Sequence, residues 1–84
     1  MRRASSIVID RVRIDDGTHW IIDYKTGTHE GGDLPGFLDR ESERYAPQLA
    51  RYAEIYSRYA RGPRIRTALY FPLLQRFREV SLPR

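Results

Sequence analysis

Ile9-Asp10-Arg11-Val12 and Ile21-Ile22-Asp23-Tyr24-Lys25-Thr26-Gly27, joined through Asp15-Asp16-Gly17, decide how this chain folds. Two strand-like runs flank an Asp-Gly pair, the strongest short-range signal for a β-hairpin. A two-residue turn at Asp16-Gly17 and a four-residue loop from Asp15 to Thr18 both pair Ile14 with His19. Counting back along that ladder sets Asp10 opposite Asp23. Side chains directly across an antiparallel pair share a face, which brings the two carboxylates within roughly 5 Å. Lys25, two residues beyond Asp23, projects from the same face.

Eighty-four residues form one small domain, 1–84, able to bury only about 60–65% of its unfolded surface. The hydrophobic fraction is 40% and the charged fraction 31%, the balance of a soluble globular chain rather than a disordered one. Cysteine is absent, which excludes disulfides and thiolate zinc sites. The first residues lack the apolar core of a signal peptide, and no apolar run approaches the ~20 residues that span a bilayer. The cytoplasm is therefore the expected compartment. Net charge is +4, and Lys25 is the one lysine among many arginines. Arginine clusters grip phosphates, although a solvated basic surface gives the same balance.

Alternation makes residues 6–14 a strand, with Val8, Asp10, Val12 and Ile14 on one face and Ile7, Ile9, Arg11 and Arg13 on the other. Residues 19–25 return, carrying Ile21, Asp23 and Lys25 on the first face and Trp20, Ile22 and Tyr24 on the second. Trp20 falls opposite Arg13, where a cation–π contact is expected. Both faces are partly apolar and expect cover. Residues 26–41 read as a long loop. Residues 42–59 read as a helix, because Tyr45, Leu49, Tyr52, Tyr56 and Tyr59 recur at steps of four and three. Ser42 is the expected N-cap, or Ala46 if Pro47 opens the first turn. Gly62-Pro63 ends the segment. Strands follow over 64–72 and 76–82, with a turn near Leu74-Gln75. One helix cannot cover two apolar sheet faces, so self-association is expected.

Aspartate is depleted in strands, and two of them facing each other demand a reason. On an exposed edge they would simply point to solvent. Here Asp10 shares its face with Val8, Val12 and Ile14, and Asp23 with Ile21, which weakens that reading; a hard cation between them would relieve the repulsion. Mg²⁺ takes one or two carboxylates, several waters and substrate phosphate oxygens; it polarises a phosphate and lowers the pKa of the attacking water. Lys25 then either stabilises charge on the transition state or forms a plain salt bridge. Gln48 and Tyr52, four apart on the helix, either hold Lys25 and contact phosphates or, for Tyr52, fill the core. Tyr45 and Tyr56 read as packing residues. His19 and His29 have no partner at ligand spacing and read as solvent-exposed. The glycines match no phosphate-binding loop.

Ile9-Asp10-Arg11-Val12, Ile22-Asp23-Tyr24-Lys25-Thr26-Gly27 and Gln48-Leu49-Ala50-Arg51-Tyr52, in this order, resemble the motifs of the PD-(D/E)XK nuclease superfamily. More narrowly, they resemble the RecB-type nuclease domain at the C-terminus of UvrD-like helicase-nucleases. The resemblance covers roughly residues 7–52, with Ala68 to Pro72 suiting the family's post-helix strand. It implies an α/β, restriction-endonuclease-like core fragment made of an antiparallel hairpin, one helix and two further strands. It makes Asp10, Asp23 and Lys25 the catalytic set. Asp10, Asp23 and the Tyr24 carbonyl become metal ligands, and Gln48 and Tyr52 support the site and the nucleic acid. The cofactor implied is Mg²⁺, with Mn²⁺ as an alternative. The substrate implied is single-stranded DNA, delivered by a linked helicase domain, and the activity is exonuclease-type hydrolysis in repair or recombination. Ile7 stands where the family has glycine, and no P-loop is present, so a C-terminal piece of a larger protein is expected. The alternative is a catalytically silent DNA-binding or structural module that keeps the fold.

Overall fold

The computed structural model of the chain describes residues 11–81. Elements follow in the order β1 (Arg11–Asp15), β2 (Thr18–Tyr24), α1 (Leu34–Tyr59), β3 (Arg64–Phe71) and β4 (Arg76–Val80). They form one four-stranded mixed sheet in the order β1-β2-β3-β4, crossed on one face by the single helix. This is the small α/β core that the sequence implies.

The hairpin closes through the shorter of the two turns. Asp15 pairs with Thr18 and Ile14 with His19, leaving Asp16 and Gly17 as the turn, both at positive φ (51° and 78°). Such a turn matches the right-handed twist of the strands it joins. The described register ends at Arg11 opposite Ile22. Asp10 and the expected strand residues 6–10 lie outside the described residues.

The helix begins earlier than its tyrosine repeat suggests. Residues 34–41, expected as loop, are its first two turns. Asp33, not Ser42 or Ala46, is the N-cap: its side chain accepts a hydrogen bond from the Gly36 amide at 3.1 Å. Pro35 sits in the first turn, where the missing N–H has no intrahelical partner to lose. Gly36 is what allows this cap, since a Cβ there would meet Asp33 Oδ2 at 2.1 Å. Ser42 instead donates its hydroxyl to the Leu38 carbonyl one turn back. Pro47 lies inside the helix and removes one amide donor; it and Glu43, whose carbonyl that donor would meet, are both exposed.

β2 and β3 pair in parallel, Ile21 beside Thr67 and Asp23 beside Leu69, as a helical crossover permits. β3 and β4 form a second hairpin, Leu69 opposite Arg78. The helix packs on β2, β3 and β4, burying Leu38 and Leu49 against Leu69, Phe71 and Val80. Full burial of such side chains is worth about 1.5–3 kcal/mol each. Thr67, also buried, donates a hydrogen bond from its hydroxyl to the Val80 carbonyl at 2.7 Å. Arg78 pairs with Asp39 across the helix–sheet seam.

Candidate nuclease site

The site grows from the C-terminal end of β2. Alternation turns Ile21 and Asp23 toward the helix, and both are buried, Asp23 to 6% exposure. A buried carboxylate is costly unless its oxygens find partners, and two come from different elements. Lys25 Nζ lies 2.9 Å from Asp23 Oδ2, and Gln48 Nε2 donates to the same oxygen at 3.2 Å. The shared face read from the hairpin thus holds for Asp23 and Lys25, and the helix adds Gln48 from above.

Lys25 is fixed at both ends. Its amide donates to the Tyr70 carbonyl at 2.8 Å, extending the parallel pairing one residue past β2. Its ammonium stands 3.7 Å from the centroid of the Tyr45 ring. Tyr45, expected to pack, does pack against the core cluster, and it also contacts the lysine. Helical spacing carried the clue, since Tyr45 precedes Gln48 by three residues, but only the crossover puts that edge over β2.

Tyr52 packs against the same apolar cluster, the core position that its place in the tyrosine stripe allowed. Tyr24 points to the other side of the sheet, its ring edge-on to Tyr70 with centroids 5.3 Å apart. Asp10 lies outside the described residues.

Both histidines depart from expectation. His19 is half-buried and shares a 2.7 Å hydrogen bond between Nδ1 and Tyr56 Oη. His29 stacks on Phe37 at 4.5 Å and donates from Nε2 to the Gly32 carbonyl. Each is held because the early helix start and the crossover bring an aromatic ring to it. Trp20 does lie opposite Arg13, but the cation over its ring is Arg66, at 5.8 Å on the neighbouring parallel strand.

The donor set at Asp23 is made of hard oxygens, the type that Mg²⁺ and Mn²⁺ accept. Among the described residues no group of three His, Cys, Asp or Glu converges to hold a metal. A cation that keeps most of its water needs only one or two carboxylates, so Asp23 fits as one ligand.

A family model of the PD-(D/E)XK nuclease superfamily matches residues 8–81. The chain belongs to this superfamily. Its members generally use divalent metal ions, in keeping with the oxygen donors at Asp23. The match spans both hairpins and the helix, so the sheet, crossover and β2 terminus all fall within it. Neither the curated proteins nor the solved structures give a match. Among the described residues no helix is long and apolar enough to cross a membrane.

Proposed function

We propose that this chain hydrolyses DNA phosphodiesters, as the RecB-type nuclease portion of an ATP-dependent helicase-nuclease acting in repair or recombination. The observation that carries the reading is the buried Asp23 carboxylate, gripped on one oxygen by Lys25 and Gln48. The lysine, one residue past β2, and the helix amide meet on one buried oxygen at the strand end, within the span matched by the nuclease superfamily.

Asp23, with Asp10 and the Tyr24 carbonyl as the expected companions, would hold a divalent cation, Mg²⁺ first and Mn²⁺ second. When bound, that ion polarises the phosphodiester. Gln48 anchors the carboxylate so that its second oxygen keeps one direction. Lys25 supplies an ammonium beside that carboxylate, where it can meet negative charge building on phosphate oxygens during displacement. Tyr52 backs the helix edge that carries Gln48. Single-stranded DNA, fed by a linked helicase domain, and exonuclease-type cleavage complete the proposal.

The test is cleavage of a labelled single-stranded oligonucleotide with Mg²⁺ and with chelator, for wild type and Lys25→Ala. Mg²⁺-dependent cleavage that collapses in the variant supports the reading. Equal and negligible turnover in both proteins overturns it in favour of a DNA-binding or structural module.

A further inference from the structure

Tyr45 touches Lys25 in a way that core packing alone does not require. The lysine ammonium lies 3.7 Å from the ring centroid, and its side chain is only 21% exposed. Attraction between a cation and an aromatic face strengthens as water is removed, so this contact acts in the setting where it counts most. Arg44 approaches the same ring at 5.4 Å, but that side chain is 70% exposed and pairs with Glu41 at 3.9 Å.

The two holds on the ammonium differ in kind. Asp23 takes an N–H into a lone pair. A ring face attracts the charge as a whole through its quadrupole. A lysine ammonium has three donors, so a ring can fix its place while N–H groups stay available for another oxygen. A second carboxylate would fix the ammonium equally well but occupy a donor and repel an incoming phosphate. Tyr45 supplies attraction without that repulsion.

We propose that Tyr45 is a positioning residue, whose ring face holds the Lys25 ammonium beside Asp23 with donors left for substrate phosphate oxygens. The inference rests on the role given to Lys25 above and adds a residue to it. Tyr45→Phe keeps the ring; Tyr45→Leu keeps an apolar side chain against the core and removes the quadrupole.

Lys25 is the one lysine of the chain, so protein labelled with ¹³C-lysine reports its side chain without assignment. In the wild type, ring current should move the Lys25 Hε resonances upfield of an unstructured lysine. The displacement should persist in Tyr45→Phe and vanish in Tyr45→Leu. With single-stranded DNA and Mg²⁺, Tyr45→Leu should lower kcat by about 3- to 30-fold, the range of a cation–π contact expressed as a rate. KM should hardly move, and Tyr45→Phe should restore kcat. Unshifted Lys25 resonances in the wild type would overturn the proposal, and this reading needs no variant. So would a Tyr45→Phe variant as impaired as Tyr45→Leu. Absence of cleavage in the wild type, with the Lys25 displacement intact, would refute the nuclease reading and leave the positioning contact standing.

Discussion

The two faces of the sheet are made by alternate residues of the same strands, yet they are finished differently. On the helix side, Ile21, Asp23, Thr67, Leu69 and Phe71 are buried, and the polar members are tied by specific hydrogen bonds. On the other side no element among the described residues lies over the sheet. Trp20 meets Phe77 edge-on at 5.8 Å, and Tyr24 meets Tyr70 at 5.3 Å. These rings shelter Ile22 and Ala68, but Phe77 itself remains 52% exposed. A shallow groove between them is lined by Arg13, Ile22, Tyr24, Tyr70 and Phe77. A helix lid permits a buried charged group, because it can deliver a partner such as Gln48 to a chosen oxygen. On the open side the rings shield apolar neighbours, and among the described residues no helix delivers a partner there.

The largest expected contrast is chemical. Asp23→Asn, which preserves shape, and Lys25→Ala should each lower Mg²⁺-dependent cleavage by at least about 10²-fold, the scale of losing one transition-state electrostatic contact. Calorimetric titration should also show Mg²⁺ affinity lost in Asp23→Asn. Unchanged affinity and rate would move the site away from the helix-covered face.

A smaller contrast is mechanical. Leu69→Ala, beneath the helix at 0% exposure, should lower unfolding stability in urea by about 2–5 kcal/mol. Phe77→Ala on the open side should cost roughly 1 kcal/mol or less, since half its surface is already in water. Equal losses would mean that the open face is closed in solution.

The helix lid has its own dependence. Asp33→Ala removes the side-chain acceptor for the Gly36 amide and should cost about 1 kcal/mol, read as a lower urea midpoint. Loss of helical circular dichroism without a change in midpoint would detach the cap from stability.

The weakest expected effect is association. Exposed aromatic surface invites a second copy, so light scattering should give an average mass above that of the monomer at high concentration. Trp20→Ser with Phe77→Ser should lower it. A clean monomer in the wild type would mean that the rings satisfy one another.

Legibility in the sequence followed the range of the interaction. The β1–β2 register could be read from Arg11 onward because Asp16-Gly17 dictates a local turn, and alternation then put Lys25 on the face of Asp23. Four strands and one helix were legible for the same reason. The helix start was not, because Gly31, Gly32 and Gly36 dilute the periodic signal over residues that Asp33 and Pro35 nevertheless initiate. The Gln48–Asp23 bond and the Tyr45–Lys25 contact lay beyond spacing arguments. Both depend on β2 and β3 pairing in parallel, which decides where the intervening helix comes to rest. His19 looked solitary for that reason too, since Tyr56 reaches it only through the crossover. The superfamily motifs grouped Gln48 with Asp23, whereas Tyr45 lay outside them.

The main-chain bond from Lys25 to Tyr70 has a consequence for how the neighbouring segment can vary. It makes Lys25 the last residue registered to the sheet before the connection 26–33, so the ammonium is anchored upstream of any change in that connection. Insertions or deletions after Thr26 can lengthen or reshape the path to the helix without shifting the carboxylate and ammonium pair. Among the described residues, the stretch between Thr26 and the Asp33 cap can therefore change length while the pair of charges stays where it is.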